Sequence, residues 1–383
     1  MKQKTGIWFV GACGNIATLV QAGILLLKAG RARPAGILTE TELVKGADLP
    51  GYDEFVFGGC ETKKPDFRQS LLYLSGFIPT VKNNCRFLLT NLNKTLKNIS
   101  RGIANETGPG DIGHVRAQIR KFAKANSLCS VIVINVASTE PMPSPKAVRL
   151  TLKQLEQSIS SNRKTGLPVS SLYAFAAIAE KSPYINFTPS AGSSLPCITE
   201  FALRERVPHM GRDGKTGETL LKSLLAAMFV MRDLEVKSWS GYNILGTEDG
   251  RNLDLPQNKT TKISTKQGII EKILGYGPDT KVGIDFVPSL GGWKIAWDYV
   301  QFNGFLDTEM AMQFVWQGRD TALAAPLIID LARLMRLSQK RGEFGTLPHL
   351  SMFFKSPAGC DANALPEQFE LLKKYLRTVN SGQ

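Results

Sequence analysis

Paired cysteines are missing from this sequence. The six that occur (Cys13, Cys60, Cys85, Cys129, Cys197 and Cys360) are far apart and form no Cys-x-x-Cys pair. That argues against a structural zinc site or a disulfide framework and for reduced thiols. Histidine is scarce too: His114, His209 and His349 are the whole complement, which leaves little for histidine-based metal or triad chemistry. No apolar run approaches the roughly 20 residues that a membrane-spanning helix needs. The longest, 19–27 and 220–231, are broken by polar or small residues and read as buried helix faces. The first residues are basic, but a strand and a glycine turn follow rather than an apolar core and a cleavage site. A cytoplasmic protein with no membrane partner is expected. Internal repeats and low-complexity segments are also absent.

Charge is plentiful. Lysine and arginine number 47 against 33 aspartate and glutamate, a formal net charge of +14. A basic surface attracts phosphate, in a nucleic acid or in a metabolite. The basic residues are spread along the chain and lack the aromatic interleaving of single-strand binders. This argues against nucleic acid and for a phosphorylated small molecule. Lysine and carboxylate chemistry has the most raw material. At 383 residues, 43% of them hydrophobic, the chain suits two domains, with insertion of one in the other as one such arrangement.

The opening reads strand, turn, helix. Residues 6–10 are apolar, Gly11-Ala-Cys-Gly-Asn-Ile-Ala17 is a turn of mostly small residues, and 18–29 has helical periodicity. A second apolar segment, 35–38, is expected to complete a βαβ unit. Backbone N–H groups at a helix N-terminus can hold a pyrophosphate, and small residues let it approach. The spacing Gly11, Gly14, Ala17 departs from G-x-G-x-x-G, so a plain strand-to-helix connection stays open beside dinucleotide binding. Glu40 and Glu42 lie near the distance of a ribose-binding carboxylate, and a solvated loop accounts for them equally well. Between 55 and 124 short apolar pieces alternate with basic and Asn-rich stretches, and 108–113 reads as a loop; no chemistry is assigned there. Residues 130–137 form a buried strand with a polar exit at Ser138-Thr139-Glu140-Pro141, where open α/β sheets place ligands. Helices are expected at 151–160, 171–180, 216–231, from near Ser264, and at 321–337; a strand is expected at 235–242.

Three segments carry candidate chemistry. Gly211-Arg-Asp-Gly-Lys-Thr-Gly-Glu-Thr219 precedes an apolar helix and reads either as an anion site with its own carboxylate, Asp213, or as a helix cap. Lys262 and Lys266 lie four apart, so a helix would put both on one face, which is more often a solvated one. Lys294 and Lys355 sit in apolar or aromatic surroundings (GGWKIAWD and MFFKSP), where a lysine snorkels to the surface or meets an anion.

The segments NFTPSAGSSLP, GRDGKTGETLLKS, YNILGTEDGRNL, TKISTKQ, PSLGGWKIAWD, WQGRDTALAAPLIIDLARL and FFKSP, in this order from about 186 to 357, resemble the successive motifs of the myo-inositol-1-phosphate synthases. The resemblance implies an α/β fold. A Rossmann-type NAD-binding domain would cover 1–190 and 310–383, and an inserted α+β catalytic and oligomerisation domain 191–309. It implies a homo-oligomer, commonly a tetramer, with NAD as cofactor and glucose 6-phosphate as substrate. In the implied isomerisation NAD oxidises C5 of the open-chain sugar and a proton leaves C6. C6 then attacks the C1 aldehyde, and C5 is reduced again, giving 1D-myo-inositol 3-phosphate.

By the same resemblance Lys262, Lys266, Lys294, Lys355, Asp213, Asp249 and Asp320 match the family's active-site residues. Lys262 would move the proton at the C5 hydroxyl, and Lys294 would stabilise the aldol oxyanion. Lys266 and Lys355 would hold phosphate and intermediate charge with Thr216, Gly217 and Thr219; Ser193, Glu218 and Asn243 fall in the same substrate-binding motifs. Asp320 would orient a lysine, and Asp249 would lie beside the nicotinamide. Gly11, Cys13, Gly14, Asn15 and Ile16 would face the pyrophosphate, and Asn135, Ala137 and Ser138 would line the nucleotide. Lysines close together lower one another's pKa, so one can exchange a proton near neutral pH. A monovalent or divalent cation is a further expected cofactor, although Gly292 stands two residues before Lys294 where many members carry aspartate. The alternatives are a dehydrogenase acting on another sugar phosphate with net hydride transfer, and a binding protein that kept the fold.

Overall fold

The computed structural model of the protein describes residues 3–103, 109–246 and 268–381. The chain forms two compact units: Met1–Gly214 with Ala324–Gly359 and Tyr375–Gln383, and Lys215–Leu323 with Cys360–Lys374.

The first unit is built on a seven-stranded sheet. Its strands are β1 (Thr5–Val10), β2 (Phe55–Glu61), β3 (Ile99–Arg101), β4 (Ser130–Asn135), β5 (Tyr184–Asn186), β6 (Pro208–Gly211) and the short Gly345–Thr346. Their spatial order is β3-β2-β1-β4-β5-β6 followed by Gly345–Thr346, with every pairing parallel. This is the doubly wound order in which the connections reverse direction at β1, leaving a crevice beyond the strand ends. β1 and β4 are buried at all six positions each, as their unbroken apolar runs require of strands covered on both faces. Each fully buried Ile, Val or Phe in them contributes about 1.5–3 kcal/mol. Helix α1 (Asn15–Lys28) leaves β1 through the turn and packs its small residues, Ala17 and Ala22, against the core.

Two sequence expectations fail here. The segment 35–38 is not the second strand. The backbone N–H groups of Leu38 and of Thr39 just after it donate to the Asp330 carboxylate at 2.9 and 2.8 Å instead of to a neighbouring strand. The second strand is β2, whose signal is diluted by Gly58 and Gly59. A Cβ at Gly59 would stand 2.2 Å from the Phe9 carbonyl oxygen, so close backbone approach demands the glycine that hides the strand. The second failure is 108–113: a helix runs over Pro109–Ala125. Its apolar residues Ile112, Val115, Ile119 and Phe122 follow helical spacing and are all buried, and that face outweighs the glycine signals.

The second unit has a four-stranded sheet of β7 (Glu235–Leu245), β8 (Asp279–Phe286), β9 (Lys294–Asn303) and β10 (Glu309–Gly318), in the order β10-β9-β7-β8. β7 and β8 run parallel and the other pairs antiparallel. One face of the sheet buries Val236, Trp239, Ala296, Asp298 and Val300. The helix Glu218–Met231 supplies Ala226 and Phe229 to the same cluster. The opposite face exposes Tyr242, Trp297 and Val315, which stand in cross-strand register. The helix Asp320–Lys340 follows β10. No described helix is long and apolar enough to cross a membrane.

Candidate active site

The first unit carries a cleft of about 960 Å³ at the C-terminal ends of β1, β2 and β4. Gly11, Cys13 and Gly14 form one wall, Asn135, Ala137 and Ser138 another, and the residues from Glu61 to Asp66 a third. Gly11 has φ +86°, and a Cβ there would lie 3.2 Å from the Ala137 Cα, so the turn and the β4 exit meet only across a glycine. Gly11 and Ala12 donate their N–H groups to the Cys60 carbonyl, which ties the turn to β2. Gly14 caps α1 without any side-chain hydrogen bond, and no acidic residue occupies the first helical turn. Asn15 and Ile16 open that turn. A helix N-terminus with no side-chain cap among the described residues is what a pyrophosphate requires. The residues present therefore fit NAD.

Glu61, the last residue of β2, was not singled out in the sequence. Its carboxylate accepts the Cys13 N–H at 2.6 Å, and burial, opposed by that bond and by Lys63, holds its pKa above the ordinary value. The end of the second strand is where a carboxylate meets ribose hydroxyls. Glu40 and Glu42 serve elsewhere: Glu40 accepts from Tyr52 and Arg333, and Glu42 pairs with Lys45. The signal that would have found Glu61 is its place at a strand end, invisible while the strand itself was misplaced. Burial pushes the Cys13 thiol up to about 12, so it lines the cleft as a neutral group. Asn135 lines it too, but its amide donates to Asn186 and Thr188 while its oxygen accepts the Ala137 N–H. It acts by fixing the wall.

The lysine–carboxylate residues form pairs within each unit. In the first, the Lys355 ammonium lies 2.8 Å from the Asp213 carboxylate, and the Lys355 N–H donates to the Asp213 carbonyl. Asp213 has φ +61°, held by that bond and by its own N–H to the Thr188 carbonyl. Ser193 is 3% exposed, and its hydroxyl bonds to Nδ1 of the buried His209 at 2.9 Å; it is a packed residue with no open side.

In the second unit, Lys294 opens β9 and Asp320 opens the helix after β10. Their charges meet at 2.9 Å, and the Thr216 hydroxyl donates to the other Asp320 oxygen at 3.2 Å. Gly217, at the start of Glu218–Met231, packs so close that a Cβ would stand 2.7 Å from Trp316 Nε1. Thr219 is buried, and Asn243 is fully buried with no hydrogen-bond partner for either amide atom among the described residues.

Glu218, expected among the substrate-binding residues, lies in the interior. It is 1% exposed and pairs with Lys222 at 2.7 Å, while Lys222 reaches Asp298 at 2.9 Å. Asp298 also accepts from Trp239 Nε1. Burial opposes the Lys222 charge, but the two carboxylates outweigh it and hold its pKa above the ordinary value. This buried trio, absent from the sequence reading except for Glu218, is an internal charge cluster beneath the sheet. Lys262, Lys266 and Asp249 lie outside the described residues. No cluster of metal-ligating side chains occurs among the described residues.

A switch-point cleft with an open helix N-terminus defines the first unit as a Rossmann-type dinucleotide-binding fold, accompanied here by a mixed-sheet unit with a lysine–aspartate pair. The sequence profile of the family described as myo-inositol-1-phosphate synthase matches residues 74–377. An inositol-3-phosphate synthase of Bacteroides thetaiotaomicron is 30% identical, over 98% of this chain and 95% of its own. One from Dictyostelium discoideum is 27% identical over 92% and 80%. Among solved structures, the inositol-3-phosphate synthase of Caenorhabditis elegans superposes with a TM-score of 0.85 at 24% identity, covering 99% of this chain and 86% of that one. A myo-inositol-1-phosphate synthase-related protein of Thermotoga maritima reaches 0.78 at 18% identity, over 98% and 99%. These two share the fold. The chain belongs to the myo-inositol-1-phosphate synthase family.

Proposed function

We propose that this protein is an NAD-dependent isomerase that cyclises glucose 6-phosphate to 1D-myo-inositol 3-phosphate. The observation that carries the reading is the Lys294–Asp320–Thr216 contact, made by residues of the family's motifs in a chain similar along nearly its whole length to inositol-3-phosphate synthases. Bound NAD supplies the oxidation at C5 and the matching reduction after closure, so it is regenerated.

The chain's own residues do the rest. Lys294, largely withdrawn from solvent, would stabilise the oxyanion that develops when the C1 aldehyde is attacked, and Asp320 would aim it. Lys262 would carry the proton of the C5 hydroxyl. Lys355, oriented by Asp213, and Lys266 would hold phosphate and intermediate charge, with Thr216, Gly217 and Thr219. Asn243 would donate and accept toward the sugar hydroxyls, since its amide has no partner among the described residues. Gly11, Cys13, Gly14, Asn15 and Ile16 would cradle the pyrophosphate, Ala137 and Ser138 would line the nucleotide, Glu61 would take the ribose, and Asp249 would lie toward the nicotinamide. The first unit would be the NAD-binding domain and the second the catalytic and oligomerisation domain. The exposed Tyr242, Trp297 and Val315 face supports a homo-oligomer, with a tetramer favoured. A cytoplasmic setting and a cation requirement complete the reading.

The test is product analysis with glucose 6-phosphate and catalytic NAD, followed by phosphatase treatment and chromatography. Inositol in excess of the NAD supplied supports cyclisation with cofactor recycling. NADH rising without inositol would make the protein a sugar-phosphate dehydrogenase instead.

A further inference from the structure

The dinucleotide cleft is lined by three cations as well as three carboxylates. After Glu61 the chain runs Thr62-Lys63-Lys64-Pro65-Asp66 to the helix that starts at Arg68, and all of these line the cleft. Its three carboxylates are engaged by nearby donors. Glu61 accepts the Cys13 N–H at 2.6 Å, and Asp66 accepts the Arg68 N–H at 3.0 Å. Glu140 accepts both the N–H and the hydroxyl of Ser170. Its three cations stand differently. Lys63, Lys64 and Arg68 are exposed, and among the described residues none has a carboxylate within ion-pairing distance. The charge of Lys63 acts on Glu61 and opposes the rise in its pKa that burial causes.

A carboxylate at the end of the second strand serves the ribose hydroxyls of NAD, whereas cations beside it serve a 2′-phosphate. This cleft has both. A phosphate monoester carries close to two negative charges at neutral pH, so it would answer three cations that are without carboxylate partners among the described residues better than a neutral ribose hydroxyl would. Glu61 would oppose such a phosphate, but its charge is already shared with the Cys13 N–H and disfavoured by burial. We propose that the cleft binds 2′-phosphorylated nicotinamide dinucleotide, NADP, as well as NAD, with Lys63, Lys64 and Arg68 holding the 2′-phosphate. The inference rests on the reading of the cleft as the NAD site.

The test is calorimetric titration of the full chain with NAD and with NADP, without sugar phosphate, at low and high salt. NADP should bind within about tenfold of NAD at low salt and weaken more steeply as salt screens the cations. The variant K63S/K64S/R68S should lose about 30-fold in NADP affinity while NAD changes less than about threefold. If that variant does not fold, K64S alone should move the NADP-to-NAD ratio in the same direction. NADP binding about 1,000-fold weaker than NAD overturns the inference. So does an equal loss of both nucleotides in the variant. Binding of neither nucleotide removes the NAD reading and this inference together.

Discussion

Lys294 is 12% exposed at its side chain and faces Asp320, which is 39% exposed. A lysine held this way is positioned by its partner, and the aspartate stays open to solvent. Lys294→Ala should lower turnover by at least about 10²-fold, the cost of removing one charge-stabilising group, and leave NAD binding unchanged in a fluorescence titration. Full turnover in that variant would remove the assigned role. Lys222 belongs to a different kind of residue. Its loss strands Glu218 and Asp298 as buried, uncompensated carboxylates, so Lys222→Ala should destabilise the protein by about 3–5 kcal/mol in urea unfolding. A loss no larger than that of an exposed surface lysine would mean that the trio adapts by taking up a proton.

Two buried histidines set a pH dependence. Burial lowers His209 and His349 from 6.5 to about 4. Their neutral forms favour the folded state. The stabilisation is fully present above pH 6.5 and is lost as pH falls from 6.5 toward 4, on the order of 3 kcal/mol per histidine at most. Asp330, raised by burial to about 6, acts in the opposite sense, because its contribution is present below pH 3.8 and fades as pH rises through 6. Unfolding midpoints for wild type and His349→Gln between pH 7 and 4.5 separate the two, and the variant should lose less stability on acidification.

At the scale of elements, the long connection from α1 to β2 is held by the helix Asp320–Lys340. Asp330 accepts from the Leu38 N–H, the Thr39 N–H and the Thr39 hydroxyl. Arg333 donates to the Pro50 and Thr39 carbonyls and to Glu40 and lies over the Tyr52 ring. Asp330→Ala would leave three donors unanswered, each worth about 1–3 kcal/mol when buried. Limited proteolysis should then cut within 38–52 much faster than in the wild type; unchanged resistance would show that Arg333 alone holds the loop. The strand–turn–helix at the amino end was legible because an apolar run, a small-residue turn and a helical period stand next to each other. β2 was not, since the glycines that let β1 and β2 approach are poor strand formers. The helix Pro109–Ala125 was masked by glycines whose local preference is overridden by a buried apolar face.

For the whole molecule, the open face of the second sheet is the feature to test. Tyr242 pairs with Trp297, and Trp297 with Val315, across three strands, all of them exposed in the single chain. Trp297→Glu with Val315→Glu should shift sedimentation from a homo-oligomer toward the monomer, while a wild-type protein that sediments as a monomer would sink the oligomer reading.

The sequence by itself determined the family, the cofactor class and the identities of the candidate lysines and aspartates, because ordered motifs survive in the linear chain. It also set the central strands, whose apolar runs can only be buried. Tertiary structure decided which of these side chains are enclosed in the interior and which keep an open side. Glu218 lies in the same motif as Thr216 and Ser193 in the one before it, yet one is paired with Lys222 and the other is packed against His209. It placed Glu61, not Glu40, in the wall of the cleft at the end of β2. These outcomes depend on partners remote in sequence, since a side chain's charge, exposure and direction follow from what the fold places beside it.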